Sequence, residues 1–145
     1  MEIVRTVRVD RQMPEVFDYL SDFTTTNEWD PGTVRTSRQS GDGGVGTRYQ
    51  NVSKFMGRKT DLAYVVTEHE PPTRFALRGE NKTVVAHDTM SLTPTTGGGT
   101  QITYRATFTF KGLARLVAPL TAPAFRRLGD KAADGLRAAL GQEHS

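Results

Sequence analysis

The chain contains no cysteine. Disulfides, thiolate nucleophiles and cysteine-based metal sites are therefore all excluded. Histidine is scarce, with only His69, His87 and His144. A metal site needs three or four converging ligands, and these positions do not supply them, so no metal and no cofactor are expected. His144 falls in a C-terminal tail expected to be unstructured. Long apolar runs are missing too. The most apolar stretch, Leu113 to Phe125, is interrupted by Arg115 and is far shorter than the roughly 20 residues of a membrane span. The opening MEIVRTVRV alternates and lacks the apolar core of a signal peptide, so the expected location is the cytoplasm. Nor does one sign of charge dominate: 19 basic residues are interspersed with 16 acidic ones. Arg126, Arg127 and Lys131 stand beside Asp130 and Asp134 with no aromatic platforms between them, which argues against a nucleic-acid partner.

What is present fits one domain, residues 1–145, with a single sizeable core. Residues 3–9 alternate as a strand. Pro14 suits the first turn of a helix, and Val16, Phe17, Leu20 and Phe23 follow at helical spacing. A break at Ser21 and Asp22 caps a second short helix, TTTNEW, which stops at Asp30-Pro31-Gly32. Six further strands follow: 33–39, TRYQNVSKF, DLAYVVTEH, RFALR, VVAHDTMSL and QITYRATFTF. GDGGVG, Met56-Gly57-Arg58, Pro71-Pro72, the residues 79–82 and the Gly97–Gly99 run separate them. Short turns between strands describe an antiparallel meander.

After the strands comes one long segment, about Gly112 to Leu140. Leu113, Leu116, Val117, Leu120, Ala124, Phe125, Leu128, Ala132, Leu136 and Leu140 recur at three- and four-residue steps and should share one face. Pro119 and Pro123 should kink the first third or split it, leaving a clean helix from near Ala124. The expected fold is α+β: a sheet curled around this helix, with a cavity left between them.

Alternation sorts the strands into faces. The inward sets are Tyr49 and Asn51; Leu62, Tyr64 and Val66; Phe75 and Leu77; Val84, Ala86, Asp88, Met90 and Leu92; and Ile102, Tyr104, Ala106, Phe108 and Phe110. Asp88 is then a carboxylate on an apolar face, which must be paired, hydrated or neutralised. Adjacent His87 points the other way, and His69 reads as an exposed strand end. GDGGVG opens a strand where a dinucleotide fingerprint would open a helix, so it is a turn. No nucleophile elbow is present. The candidate ligand-contacting residues are Trp29, Tyr49, Asn51, Phe55, Tyr64, Asp88, Met90, Tyr104, Phe108, Leu116, Leu120, Phe125 and Leu128. Asp88 alone is a weak candidate for general acid or base work. Trp29 either plugs the base of the cavity or staples the short helices to the sheet. Phe55 and Met56, apolar at a hairpin tip, could gate a mouth near Leu116–Phe125.

PEVFDYLSDF…EWDPG, GVGTRY, TEHEPPTRFALR and LTPTTGGGTQITYRATFTFKGLARLVAPL together resemble the polyketide cyclase/dehydrase family of the START-related, helix-grip (SRPBCC) superfamily. The resemblance spans nearly the whole chain. It implies a seven-stranded antiparallel sheet, two short helices after the first strand, and a long C-terminal helix gripped over a deep ligand cavity. Such proteins include aromatase/cyclases and carriers of lipids and hormones, and no catalytic residue carries over. The leading expectation is binding of a small, mostly hydrophobic molecule, aromatic or polyketide-like. The alternatives are a cyclase/dehydrase-type enzyme and, should the cavity be filled, a protein-interaction module. Monomer and homodimer both remain open.

Overall fold

A computed structural model describes residues 1–141; His144 lies outside the described residues. Strand β1 (Glu2–Val9) leads into helix α1 (Met13–Ser21), a single 3-10 turn (Phe23–Thr25) and helix α2 (Thr26–Trp29). Pro14 sits at the start of α1, and Val16, Phe17 and Leu20 form its buried face. The break falls at Asp22, whose carboxylate accepts from the Thr24 backbone N–H at 3.1 Å. Strands β2 (Thr33–Ser40), β3 (Arg48–Phe55), β4 (Arg58–Glu70), β5 (Arg74–Glu80), β6 (Val84–Pro94) and β7 (Thr100–Phe110) follow. All pairings are antiparallel, in the order β1-β7-β6-β5-β4-β3-β2. The fold is the seven-stranded, helix-gripping arrangement expected from the sequence.

Three local features depart from the expectation. The β3–β4 hairpin is longer, because Met56 and Gly57 both take positive φ (53° and 80°) and pair Phe55 directly with Arg58; a two-residue turn of that kind matches the twist of its strands. Gly79 and Glu80 continue β5 and pair with Ala86 and Val85, so the turn is confined to Asn81–Thr83. The Asn81 side chain holds it by accepting from the N–H groups of Thr83 and Val84. His69 is not an exposed strand end. An irregularity between Val66 and Glu68 reverses the alternation of β4, and the half-buried imidazole packs edge-on to Phe17 at 5.2 Å and near Phe75.

The C-terminal segment splits at its prolines into α3 (Ala114–Val117), a 3-10 turn (Ala118–Thr121) and α4 (Ala122–Leu140). Helical phase survives only while the helix is continuous. The leucine stripe therefore breaks: Leu113, Leu116, Val117 and Leu120 are exposed, at 83, 76, 53 and 78%. From Phe125 onward the stripe holds, with Phe125, Ala132, Leu136 and Leu140 buried.

Helix α4 is fixed at two places. Its C-terminal end is tied to the β1–α1 corner, where Asp10 N–H donates to Gly141 O at 3.0 Å and Arg11 Nε to Leu140 O at 2.8 Å. Midway, Gly135 lies against the Trp29 backbone; a Cβ there would stand 1.7 Å from the Trp29 carbonyl oxygen. The Arg5–Asp130 pair at 2.8 Å also joins β1 to α4, but Asp130 is mostly exposed, so the pair contributes at most about 1 kcal/mol. Gly135→Ala should force α4 away from α2 and destabilise the fold by about 1–3 kcal/mol or more. Urea denaturation measures it, and an unchanged midpoint would contradict this packing.

Candidate functional site

Side chains fill the space under the C-terminal half of α4. Val7, Val9, Val16, Phe17, Leu20, Phe75, Leu92, Ile102, Leu136 and Leu140 pack there with almost no exposure. Toward the start of α4 the packing stops, and a cavity of about 240 Å³ remains between helix and sheet. Helix α4 contributes Phe125 and Leu128, and the preceding turn Thr121. The sheet contributes the inward faces of β3 (Asn51, Ser53, Phe55), β4 (Thr60, Leu62, Tyr64) and β7 (Tyr104, Phe108, Phe110), with Val84 and Asp88 from β6. Phe23, Thr26, Trp29 and Asp30 come from the short helices, and Thr83 from the β5–β6 turn.

The two ends of this space differ. Where the β3–β4 hairpin, the end of β7 and the start of α4 meet, Phe125 packs against Phe55, Phe108 and Phe110 at 4.4, 4.7 and 5.8 Å between ring centres. Elsewhere polar groups join the lining, beside Phe23, Trp29, Leu62, Val84 and Leu128. Thr26 Oγ1 donates to Phe23 O at 2.8 Å and is hydrogen-bonded to Thr36 Oγ1 at 2.7 Å, Asn51 Nδ2 donates to Thr36 Oγ1 at 2.8 Å, and Ser53 Oγ donates to Asn51 Oδ1 at 2.6 Å. This network satisfies its own members, so Asn51 is buried at little cost.

Two carboxylates face the cavity, and neither has a cationic partner there. Asp30 follows Trp29 at the end of α2; its Oδ1 accepts from Gly32 N–H at 3.0 Å and its Oδ2 from Thr33 Oγ1 at 3.1 Å. Burial raises its pKa, and those two hydrogen bonds pull it back toward ionisation. Asp88 is 7% exposed and accepts from the Tyr64 hydroxyl. Burial is the main cause that lifts its carboxyl to about 7, and the charge of Asp30 adds to it, while Tyr64 opposes. Tyr64 and Tyr104 are pushed well above the ordinary tyrosine range by the same burial and by both carboxylates.

Gly79 makes the Tyr64–Asp88 contact possible. Tyr64 is on β4 and Asp88 on β6, so the ring must cross β5 between them. It crosses at Gly79, where an added Cβ would stand 2.6 Å from the ring. The Trp29 and Tyr104 rings, 6.1 Å apart at 78°, form a corner beside the carboxylates, and Trp29 Nε1 donates to Thr25 Oγ1 at 3.3 Å.

Nine of the residues named from sequence are brought to the cavity: Trp29, Asn51, Phe55, Tyr64, Asp88, Tyr104, Phe108, Phe125 and Leu128. Four are placed elsewhere. Tyr49 is buried against Phe23 and bonded to its backbone. Met90 is packed in the core. Leu116 and Leu120 are exposed on the segment before α4 because the proline break resets the helix face. Sequence reasoning missed Asp30, which its turn role fully explained. It also missed Ser53 and Thr60, which one more step of the strand alternation would have found.

A bent antiparallel sheet gripping a C-terminal helix over a hollow is the helix-grip fold. Residues 1–141 match the family described as "Polyketide cyclase / dehydrase and lipid transport", and the chain belongs to that family. No curated protein matches it. Similar solved structures include a protein from Thermus thermophilus, with a TM-score of 0.82 at 15% identity, covering 97% of each chain. The Zhui aromatase/cyclase from a Streptomyces species has a TM-score of 0.83 at 12% identity, covering 97% of this chain and 93% of that one. A START superfamily protein from Mycobacterium smegmatis has a TM-score of 0.76 at 13% identity, covering 96% of both. At such identities the likeness is one of fold. Among the described residues no helix is long and apolar enough to cross a membrane.

The Asp88 carboxyl sets a pH dependence whose sign is fixed. Its pKa is raised from 3.8 to about 7 on folding, so its stabilising contribution is full below the lower value and is lost as pH rises through the upper one. Asp88→Asn should therefore leave stability near pH 4 unchanged. It should stabilise the protein increasingly up to about pH 7, by as much as about 4 kcal/mol. Urea denaturation across that range tests this, and a constant difference at all pH values would contradict it.

Proposed function

We propose that this protein binds a small, mostly apolar molecule in the cavity between the sheet and α4. The observation that carries the reading is the hollow itself, about 240 Å³, ringed by phenylalanines at one end and by tyrosines, carboxylates and an amide at the other. The volume lies just below the roughly 300–1,000 Å³ of drug-sized sites, which suits a molecule of one or two rings. An apolar body would rest among Phe55, Phe108, Phe110 and Phe125, and its polar atoms would meet Asn51, Tyr64, Tyr104 and Asp88. Compounds of this kind should raise Tm by several degrees at concentrations about 100-fold above Kd. Thr60→Phe, which places a ring in the hollow, should abolish that shift without unfolding the protein. Absence of any shift across a panel of one- and two-ring aromatics would defeat the reading.

A second reading is cyclase/dehydrase-type catalysis, favoured by the contrast between the two carboxylates. Asp30, whose two hydrogen-bond donors favour its ionised form, is assigned the base, and Asp88, lifted to about 7 mainly by burial, the acid. In an aldol closure Asp30 would take a proton from the carbon beside a ketone. That carbon would then bond to a second carbonyl carbon, and Asp88 would protonate the oxygen released from its double bond. Asp30 ends protonated and Asp88 ionised, so one proton returning from the first to the second resets the site. Asp88→Asn should then keep ligand affinity and lower turnover of a poly-ketone by about 100-fold or more; undiminished turnover would remove Asp88 from catalysis.

A further inference from the structure

The charge balance of the cavity goes beyond an apolar guest. Two carboxylates face it, yet among the described residues no Lys, Arg or His lines it. The protein as a whole is basic, with a net charge of +3, so this is a local arrangement. Asp88 is 93% buried by its 7% exposure. Among the described residues its one hydrogen-bond donor is Tyr64. A carboxylate has room for about four donors, so one face of Asp88 is left without a partner on the cavity side. The Tyr104 hydroxyl likewise has no hydrogen-bond partner among the described residues. Beside these groups stands the aromatic corner of Trp29 and Tyr104, their rings nearly perpendicular. Aromatic walls meeting at a corner beside acidic groups are what a desolvated cation requires: ring faces attract it, and carboxylates neutralise it.

We infer that the polar end of the cavity recognises an organic cation, a protonated amine or quaternary ammonium on an apolar body, held between Asp30 and Asp88 and against the rings of Trp29, Tyr64 and Tyr104. The inference rests on the binding reading above and adds the sign of the ligand's charge. An anionic head, such as a fatty-acid carboxylate, would meet two acidic groups with no basic side chain among the described lining residues to compensate it and is disfavoured. A neutral alcohol or phenol fits but gains less. The cation would also offset the mutual repulsion of the two acidic groups, which raises the pKa of Asp88. The groups facing Asp88 are Asp30 after α2, Tyr64 from β4 and Tyr104 from β7, and α4 presents only Phe125 and Leu128. Cation binding therefore expels the Asp88 proton, and affinity should rise with pH.

Three probes with one naphthalene body separate the possibilities: 2-naphthylmethylamine, 2-naphthylmethanol and 2-naphthoate, titrated by calorimetry into the full-length protein. The amine should bind at least about tenfold more tightly than the alcohol, and the carboxylate at least about tenfold less tightly. The preference for the amine should widen from about pH 6 to about pH 8, with proton release at the lower pH. Asp30→Asn and Asp88→Asn should each bring the affinity for the amine down toward that for the alcohol measured on the same variant. Equal binding of all three, or preference for the carboxylate, overturns the cation inference and leaves the cavity reading standing. Binding of none overturns both. An amine preference that survives both substitutions also overturns the assignment to these carboxylates, and the wild-type comparison decides the matter even if a variant fails to fold.

Discussion

One helix cannot cover the concave side of seven strands. With neighbouring strands about 4.8 Å apart the sheet is roughly 29 Å wide, whereas a helix with its side chains is about 10–12 Å across. The difference must be filled by other elements or left hollow. Helix α1 supplies the filling at one end, where Val16, Phe17 and Leu20 complete the core beneath the last turns of α4. At the other end nothing of that size is available. There α4 begins after a proline-broken segment whose leucines point to solvent, and the space under Phe125 and Leu128 stays open.

The hollow then determines the electrostatics. A carboxylate such as Asp88 could not persist in a close-packed core without a cationic or fully hydrogen-bonded partner. Beside a cavity it persists with one tyrosine hydroxyl, at the cost of a carboxyl group that releases its proton only near neutrality. Asp30 is treated differently because its backbone turn supplies donors. The two acids therefore share a compartment with different protonation preferences. Tyr64 reaches Asp88 across β5 only because Gly79 has no side chain, so the Tyr64–Asp88 contact depends on a residue that the sequence pattern presents as a turn former.

Much of the architecture was legible beforehand. Alternation placed Asn51, Tyr64, Asp88, Tyr104 and Phe108 on inward faces because a strand has period two whatever it pairs with. The errors arose where a local rule was interrupted. The irregularity at Val66–Glu68 turned His69 inward, and the prolines broke a stripe that looked continuous from Leu113 to Leu140. Asp30 went unnoticed as a cavity group because an aspartate before Pro-Gly is already accounted for as a turn residue.

By itself the sequence determined the number of strands and their order along the chain, most of their buried faces, the proline break and the presence of a carboxylate on an apolar face. Periodicity and turn chemistry are properties of a few neighbouring residues and are written where those residues stand. Only the tertiary structure decided that Asp30 and Asp88 meet in one compartment, that Trp29 and Tyr104 form a corner beside them, and that among the described residues no basic side chain lines the cavity with them. Those relations join elements dozens of residues apart, and packing sets their distances.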